Sequence, residues 1–351
     1  MATDSPQIMI DKGIDRFLAD GVHYRDLINI RNEIRNWADW PRVWSAYAAE
    51  AERRGDEAMS KDAGVTAAGE FFRASLYYHY AQYMYFEDEG YKEKIHQAKT
   101  DAFRRAAPLL GPPVEIVSFP FRGIDITGYL RVPESEEKPP VVILIGGLDT
   151  TKEDYLSVSD ICVKRGLATF SFDGPGQGET VFKMRSIPDF EAAVSAAIDY
   201  LESREEVDTG RLGIVGRSMG GYFAPRATSA DRRIKVLVAW GVAYDLLPMD
   251  EHTPATRAAL TFISGKATPT EAQEYFSFLN LKGHAERINV PTLVIHGGLD
   301  QVTPLYNAEK LIADIRKDLV ETMIFGDSGH CCHDKAHIVR PAIGDFLARH
   351  I

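Results

Sequence analysis

The stretch Arg211-Leu212-Gly213-Ile214-Val215-Gly216-Arg217-Ser218-Met219-Gly220-Gly221-Tyr222, continued by FAPRATSA to residue 230, decides the fold. Leu212, Ile214 and Val215 make a short apolar strand. The residues after Gly220 read as a helix, and Gly216-x-Ser218-x-Gly220 sits at the junction. A chain that passes from strand to helix in so few residues forces the serine into a strained backbone conformation, and its neighbours two positions away must be small. Such a turn lifts the Ser218 hydroxyl clear of the backbone and aims the Met219 N–H at the same point. The spacing alone is common in glycine-rich loops, where the serine would merely cap a helix. The flanking strand and helix make it a nucleophile's turn.

Working outward, seven more short apolar runs surround this one: VEIVSFP, IDITGYLR, PVVILIG, LATFSF, KVLVAWG, PTLVIHG and VETMIFG. The first two lie as close as a hairpin. Most of the later ones are separated by helix-sized segments such as DFEAAVSAAIDYLESRE (189–205). That order predicts an α/β domain over 111–351: a mostly parallel eight-stranded sheet with crossover helices on both faces. Residues 246–289, between the sixth and seventh runs, form an insertion expected to make a small cap. Residues 1–110 have a different texture, rich in Ala, Glu, Arg, Tyr and Trp with no strand-like alternation, and predict a helical, lid-like N-terminal domain. One of its helices opens near WPRVWSAY, with Asp39 as its expected cap and Pro41 in the first turn. In another, Phe72, Leu76, Tyr80 and Tyr83 recur at helical spacing, a stripe expected to pack as core. The competing use of those rings is to line a pocket of the second domain. Gly111-Pro112-Pro113 marks the boundary.

Catalytic groups of such sheets gather at the carboxyl ends of the strands. A serine hydroxyl needs a base there. His330, in the glycine-containing loop GDSGHCCHD after the last run, is the expected base, with His333 its competitor. His296, in IHGG, reads as buried structure. An imidazole needs a carboxylate to fix its tautomer. Asp300, in IHGGLDQVTP, is the expected partner, and Asp245 is the rival from the preceding strand end. The second oxyanion donor should follow PVVILI, where Gly146-Gly147-Leu148-Asp149 assigns the Leu148 N–H to stand opposite that of Met219. The DGPGQGE turn (173–179) lacks the spacing of a phosphate loop and is expected to shape the sheet top beside Ser218.

Acidic residues number 51 against 40 basic, a formal charge of −11, which disfavours nucleic-acid and anionic-membrane partners. Three cysteines make no disulfide framework, and no His/Cys/carboxylate spacing suggests a metal or an organic cofactor. The start MATDSPQIMIDKG has no signal-peptide pattern, so a cytoplasmic protein is expected.

Taken together, GGLDTTKED, FDGPGQGE, GRSMGG and DSGHCCHD resemble the serine-type α/β-hydrolases, and more narrowly the 2,6-dihydroxypseudooxynicotine hydrolase group with its fungal relatives that shorten polyketide pigment precursors. LADGVHYRDL, WADWPRVWSAY and AAGEFFRASLYYHYAQY extend the resemblance over nearly the whole chain. It implies a C–C bond hydrolase acting on a β-diketone-like or acyl-phenol small molecule, an N-terminal helical domain covering the site, and a homodimer. It also implies an acidic residue after the glycine pair, which here is Asp149, with a shorter side chain than the family's glutamate. A C–C hydrolase has a use for that acid, because the leaving carbon must be protonated. The competing role for Asp149 is a helix cap. Competing activities are a carboxylesterase or thioesterase on the same three residues, a peptidase for short peptides, and a silent binding protein.

Overall fold

The computed structural model describes residues 5–351. The chain divides into two compact units, one of residues 1–116 with 253–259 and the other of 117–252 with 260–351.

The first unit contains five helices, α1 (Pro6–Asp20), α2 (Tyr24–Glu33), α3 (Asp39–Met59), α4 (Gly64–Gln82) and α5 (Glu89–Ala106). The start of α1 shows why the chain turns helical here: Ser5 accepts from the Ile8 N–H, Pro6 takes the first helical position, and Gly21 ends the helix at φ 109°. Asp39 is the first helical residue of α3 rather than its cap. Its carboxylate accepts the N–H groups of Arg35 and Asn36 in the preceding turn. In α4, Leu76 and Tyr80 are buried and Phe72 and Tyr83 lie at the margin of the same clusters, so the stripe packs as core. Phe17, Trp44 and Tyr80 stack with ring centroids 4.5–5.6 Å apart. Two polar tips of this cluster find partners, with Trp40 Nε1 donating to the Tyr80 carbonyl at 2.8 Å and the Tyr77 hydroxyl to Asp26 at 2.7 Å.

The second unit is built on β1 (Glu115–Phe121), β2 (Ile124–Arg131), β3 (Pro140–Ile145), β4 (Ala168–Phe172), β5 (Asp208–Arg217), β6 (Ile234–Trp240), β7 (Thr292–Gly297) and β8 (Val320–Phe325). They form one eight-stranded sheet in the order β1-β2-β4-β3-β5-β6-β7-β8. β2 runs antiparallel to β4, and every pairing from β4 to β8 is parallel. This is the mixed, mostly parallel sheet expected from the apolar runs. β1 and β2 are joined at Arg122-Gly123, both with positive φ, the twist that a two-residue hairpin favours.

Alternate side chains of the central strands serve two apolar layers. Ile143, Ile214 and Leu237 face a cluster with α7 (Glu191–Glu202) and α8 (Gly220–Ala230). Val142, Leu144, Val215 and Ile295 face another that contains Cys162 of α6 (Leu156–Val163) and Val339, Ile343 and Phe346 of the C-terminal helix (Ala336–His350). Helices on both faces explain why β3 and β7 are buried along their whole length and read as unbroken apolar runs. The segment between β6 and β7 is tied at its base by Leu281 N–H to the Tyr244 carbonyl (2.9 Å) and a bridge between Asp245 and Asn280. Cys162, Cys331 and Cys332 are free and buried. Among the described residues no helix is long and apolar enough to cross a membrane.

Candidate active site

Ser218 lies between the end of β5 and the start of α8 with φ 61°, a conformation costing a non-glycine residue roughly 1–3 kcal/mol. The surroundings hold it there. Its N–H donates to the Trp240 carbonyl at 2.8 Å, and its carbonyl accepts from the Gly221 N–H at 2.7 Å. A Cβ on Gly216 would collide with the Gly220 carbonyl, and one on Gly220 would meet the carbonyls of Ile145 and Gly146. The two glycines of the spacing are thus required by backbone contact, Gly216 across the turn itself and Gly220 against the end of β3.

Two further loops bring side chains to the hydroxyl. His330 Nε2 lies 2.8 Å from Ser218 Oγ, and its Nδ1 lies 2.7 Å from Asp300 Oδ2. The loops after β7 and β8 approach closely enough for this because they lie backbone to backbone. Gly298 N–H donates to the Phe325 carbonyl (2.7 Å), Leu299 N–H to the Ser328 carbonyl (2.9 Å), and a Cβ on Gly297 would run into the Ser328 and Gly329 carbonyls. His330 is followed by two left-handed residues, Cys331 and Cys332, at φ 58° and 48°. Trp240 Nε1 donates to the Cys331 carbonyl at 2.6 Å and fixes that bend.

Asp300 is buried, and all its acceptor capacity is engaged. Oδ1 accepts from the Val302 and Thr303 N–H groups, both at 2.9 Å, and Oδ2 accepts from Thr303 Oγ1 at 3.0 Å as well as from His330. Burial pushes its carboxyl up, but the His330 charge and hydrogen bond and the Thr303 N–H outweigh that and hold it below its ordinary value. Burial likewise opposes a charged His330. Cys331 and the Asp300 carboxylate prevail, and the ring stays basic well above the usual imidazole range.

The rival residues go elsewhere. Asp245 pairs with Lys310 Nζ at 2.6 Å. His296 is fully buried: Nδ1 accepts from the Val242 N–H (3.1 Å), and Nε2 donates to the Thr303 carbonyl (2.8 Å). Those partners select a neutral ring, and burial, its largest influence, lowers its pKa. His333 packs beside Trp240.

The loop after β3 lies against Ser218, since a Cβ on Gly147 would stand 2.9 Å from Ser218 Cβ and 3.3 Å from its Oγ. Among the described residues, the backbone N–H groups of Leu148 and Met219 donate to no other group. Asp149 sits in the following bend, partly buried, with Oδ1 3.5 Å from Thr150 Oγ1. The cap of the next helical turn is Thr151, through a reciprocal pairing with Asp154, so Asp149 is not a cap.

With this geometry in place, the comparison with known proteins is decisive. The 2,6-dihydropseudooxynicotine hydrolase of Paenarthrobacter nicotinovorans is 32% identical over 337 residues, covering 95% of this chain and 90% of that protein. The chain belongs to the 2,6-dihydropseudooxynicotine hydrolase-like family of serine-type α/β-hydrolases. The crystal structure of the 2,6-dihydroxy-pseudo-oxynicotine hydrolase superposes with a TM-score of 0.89 at 30% identity, covering 96% of this chain and 95% of that one. The "Esterase FrsA-like" family matches residues 22–256, and the prolyl oligopeptidase family matches 177–350. A hydrolyase, poxO, of Penicillium oxalicum is 33% identical over 222 residues, 59% of this chain and 52% of that protein.

This α/β-hydrolase also holds groups that strand-end reasoning passed over. Thr303 gives Asp300 both an N–H and a hydroxyl, and the Asp300-x-x-Thr303 spacing is the signal for such a local pairing. Arg217 is buried and donates to Thr150 Oγ1 at 2.9 Å. Lys152 is buried with its ammonium 2.9 Å from Asp173, 3.0 Å from Glu153 and 2.9 Å from Glu179. Burial opposes that charge, yet Asp173 and Glu153 more than restore it and its pKa rises. In the DGPGQGE turn, Gln177 Nε2 donates to the carbonyls of Gly146 (2.6 Å) and Gly147 (3.2 Å).

Proposed function

We propose that this hydrolase cleaves a C–C bond of a β-diketone-like or acyl-phenol substrate through an acyl-enzyme on Ser218. The observation that carries the reading is the hydrogen-bonded chain from Ser218 through His330 to Asp300. In the proposed cycle His330 takes the Ser218 proton through Nε2 as Oγ attacks a substrate carbonyl, and Asp300 holds the imidazole tautomer and the imidazolium that forms. The N–H groups of Leu148 and Met219 donate to the developing oxyanion. When the tetrahedral species collapses, the electron pair of the C–C bond leaves with the carbon fragment, which is protonated as it departs. Asp149 is proposed to hold the substrate's enol form or to relay that proton. Water, activated by the same His330, then releases the acyl group.

A second reading is a carboxylic ester hydrolase with the same residues, and the esterase family match over residues 22–256 favours it. Turnover of a 1,3-diketone or acyl-phenol is compared with that of a size-matched aryl ester, in wild type and Asp149→Asn. Preference for the diketone, lost in Asp149→Asn while ester turnover survives, supports the C–C reading. An ester advantage of orders of magnitude, unchanged by the substitution, replaces it with the second reading. A homodimer is proposed from the family resemblance alone, and light scattering on a sizing column tests it.

A further inference from the structure

We propose that Gln177 is the positioning residue of the oxyanion site, locking the Gly147–Leu148 peptide so that the Leu148 N–H faces the reacting carbonyl. The inference rests on the hydrolase reading above, in which Leu148 is an oxyanion donor. Gln177 lies in the turn after β4, is 4% exposed, and reaches the loop after β3 because the two strands are neighbours in the sheet. Its amide is fully committed: Oε1 accepts from the Gly174 N–H at 3.1 Å, and Nε2 donates to the Gly146 and Gly147 carbonyls.

A trans peptide holds its C=O and the next N–H in one plane, pointing in opposite directions. Holding the Gly147 oxygen on Gln177 therefore turns the Leu148 N–H the other way. Glycine at 147 offers no side chain to resist a peptide flip, and a flipped peptide would present a carbonyl where the oxyanion needs a donor. The far end of the same loop is fastened to the same turn. Asp173 Oδ1 accepts from the Lys152 N–H at 2.9 Å, and Oδ2 from Lys152 Nζ at 2.9 Å. Thr180 Oγ1 closes the turn on the Asp173 carbonyl at 2.6 Å. Leu148 lies between two fixed points, and Gln177 is the one that sets its peptide plane.

The test uses whichever of the two substrates above wild type turns over, with an arylboronic acid as a mimic of the tetrahedral species. Gln177→Glu keeps the shape but turns acceptor oxygens toward the two carbonyls, and Gln177→Met keeps the volume without a donor. Thr180→Val loosens the same turn more gently. For both Gln177 variants kcat should fall by about 10- to 100-fold, part of the roughly 100- to 1,000-fold that one lost oxyanion donor costs. KM should stay within threefold, the boronate should lose affinity by the same factor as kcat, and the acid limb of the pH profile should not move. Thr180→Val should shift kcat and boronate affinity together by a smaller factor. A folded Gln177 variant with kcat and boronate affinity within threefold of wild type overturns the proposal, as does a loss that appears only in KM or thermal stability. Ser218→Ala is run alongside, and turnover surviving in that variant sinks the hydrolase reading itself.

Discussion

The two sides of Ser218 are held by different physics. On the side of β5, β7 and β8, the site is set by shape: glycines at 216, 220 and 297 let backbones touch, and hydrogen bonds between main-chain groups do the rest. On the side of β3 and β4, the loop is fastened by a buried charge cluster, one Lys152 ammonium among Asp173, Glu153 and Glu179, with Tyr129 donating to Glu153 at 2.8 Å. Steric fit is indifferent to pH and fails abruptly when an atom is added. A buried ion cluster tolerates small shape changes but answers to proton concentration. The loop that carries Leu148 is thus the more adjustable half of the site.

The first way to break this contrast is Gly216→Ala. Its added methyl meets the Gly220 backbone, not a side chain that can move aside, so the turn that carries Ser218 should be lost. Turnover should drop by roughly 1,000-fold or more, since loss of a nucleophile removes all but the residual catalysis of binding and oxyanion contacts. Covalent labelling by a serine-directed phosphonate checks it. Asp300→Asn comes next, with an expected loss in kcat of up to about 10,000-fold, as the wrong imidazole tautomer is favoured.

That variant also tests the sign of the His330 shift. In the proposed cycle only the neutral ring takes the Ser218 proton, so activity in wild type should rise with pH through a His330 pKa held well above the imidazole range. With the carboxylate gone the charged ring keeps Cys331 but loses the Asp300 share of its support, and the acid limb of kcat/KM should move to lower pH. A limb that stays in place would show that Asp300 does not supply the shift.

Lys152→Met sharpens the other side. Removing the single cation strands its carboxylates, and breaking a buried pair from one side costs about 3–5 kcal/mol. In wild type, burial raises Glu179 but Lys152 more than offsets this and lowers it, so its contribution is present above the unfolded carboxylate pKa and fades as pH falls through the folded value. Without Lys152 burial raises these carboxyls, so folded protein binds protons more tightly than unfolded. The deficit in melting temperature should then shrink as pH falls from neutral toward 5. A deficit independent of pH between those values would remove charge from the account. The smallest effect is expected for Asp245→Asn, whose partner Lys310 is largely exposed. Turnover within threefold and a stability change below about 1 kcal/mol should result.

The same contrast explains what the amino-acid sequence made legible. The central strands were readable because a parallel sheet covered on both faces demands unbroken apolar runs, as in PVVILI and TLVIHG. Gly216-x-Ser218-x-Gly220 was readable because its constraint is local, acting between residues four apart. The meeting of Gln177 with Gly146 was not, since the partners lie 31 positions apart and touch only through the pairing of β3 with β4. Asp39 and Thr151 carry the same lesson at helix starts. Both look able to cap, and the preceding turn decides which carboxylate or hydroxyl meets the first free N–H groups.

The three cysteines have a practical consequence. All three are buried and out of a reagent's reach, and for Cys162 and Cys332 burial, the largest influence, pushes the thiol up to about 12, so near neutrality those two are protonated. An alkylating reagent should leave the native chain untouched and mark it only when it opens. The molecule therefore carries its own unfolding clock: all three thiols lie in the one layer under α6 and the C-terminal helix, and the rate at which a maleimide dye attaches reads how often the sheet lets go of that face.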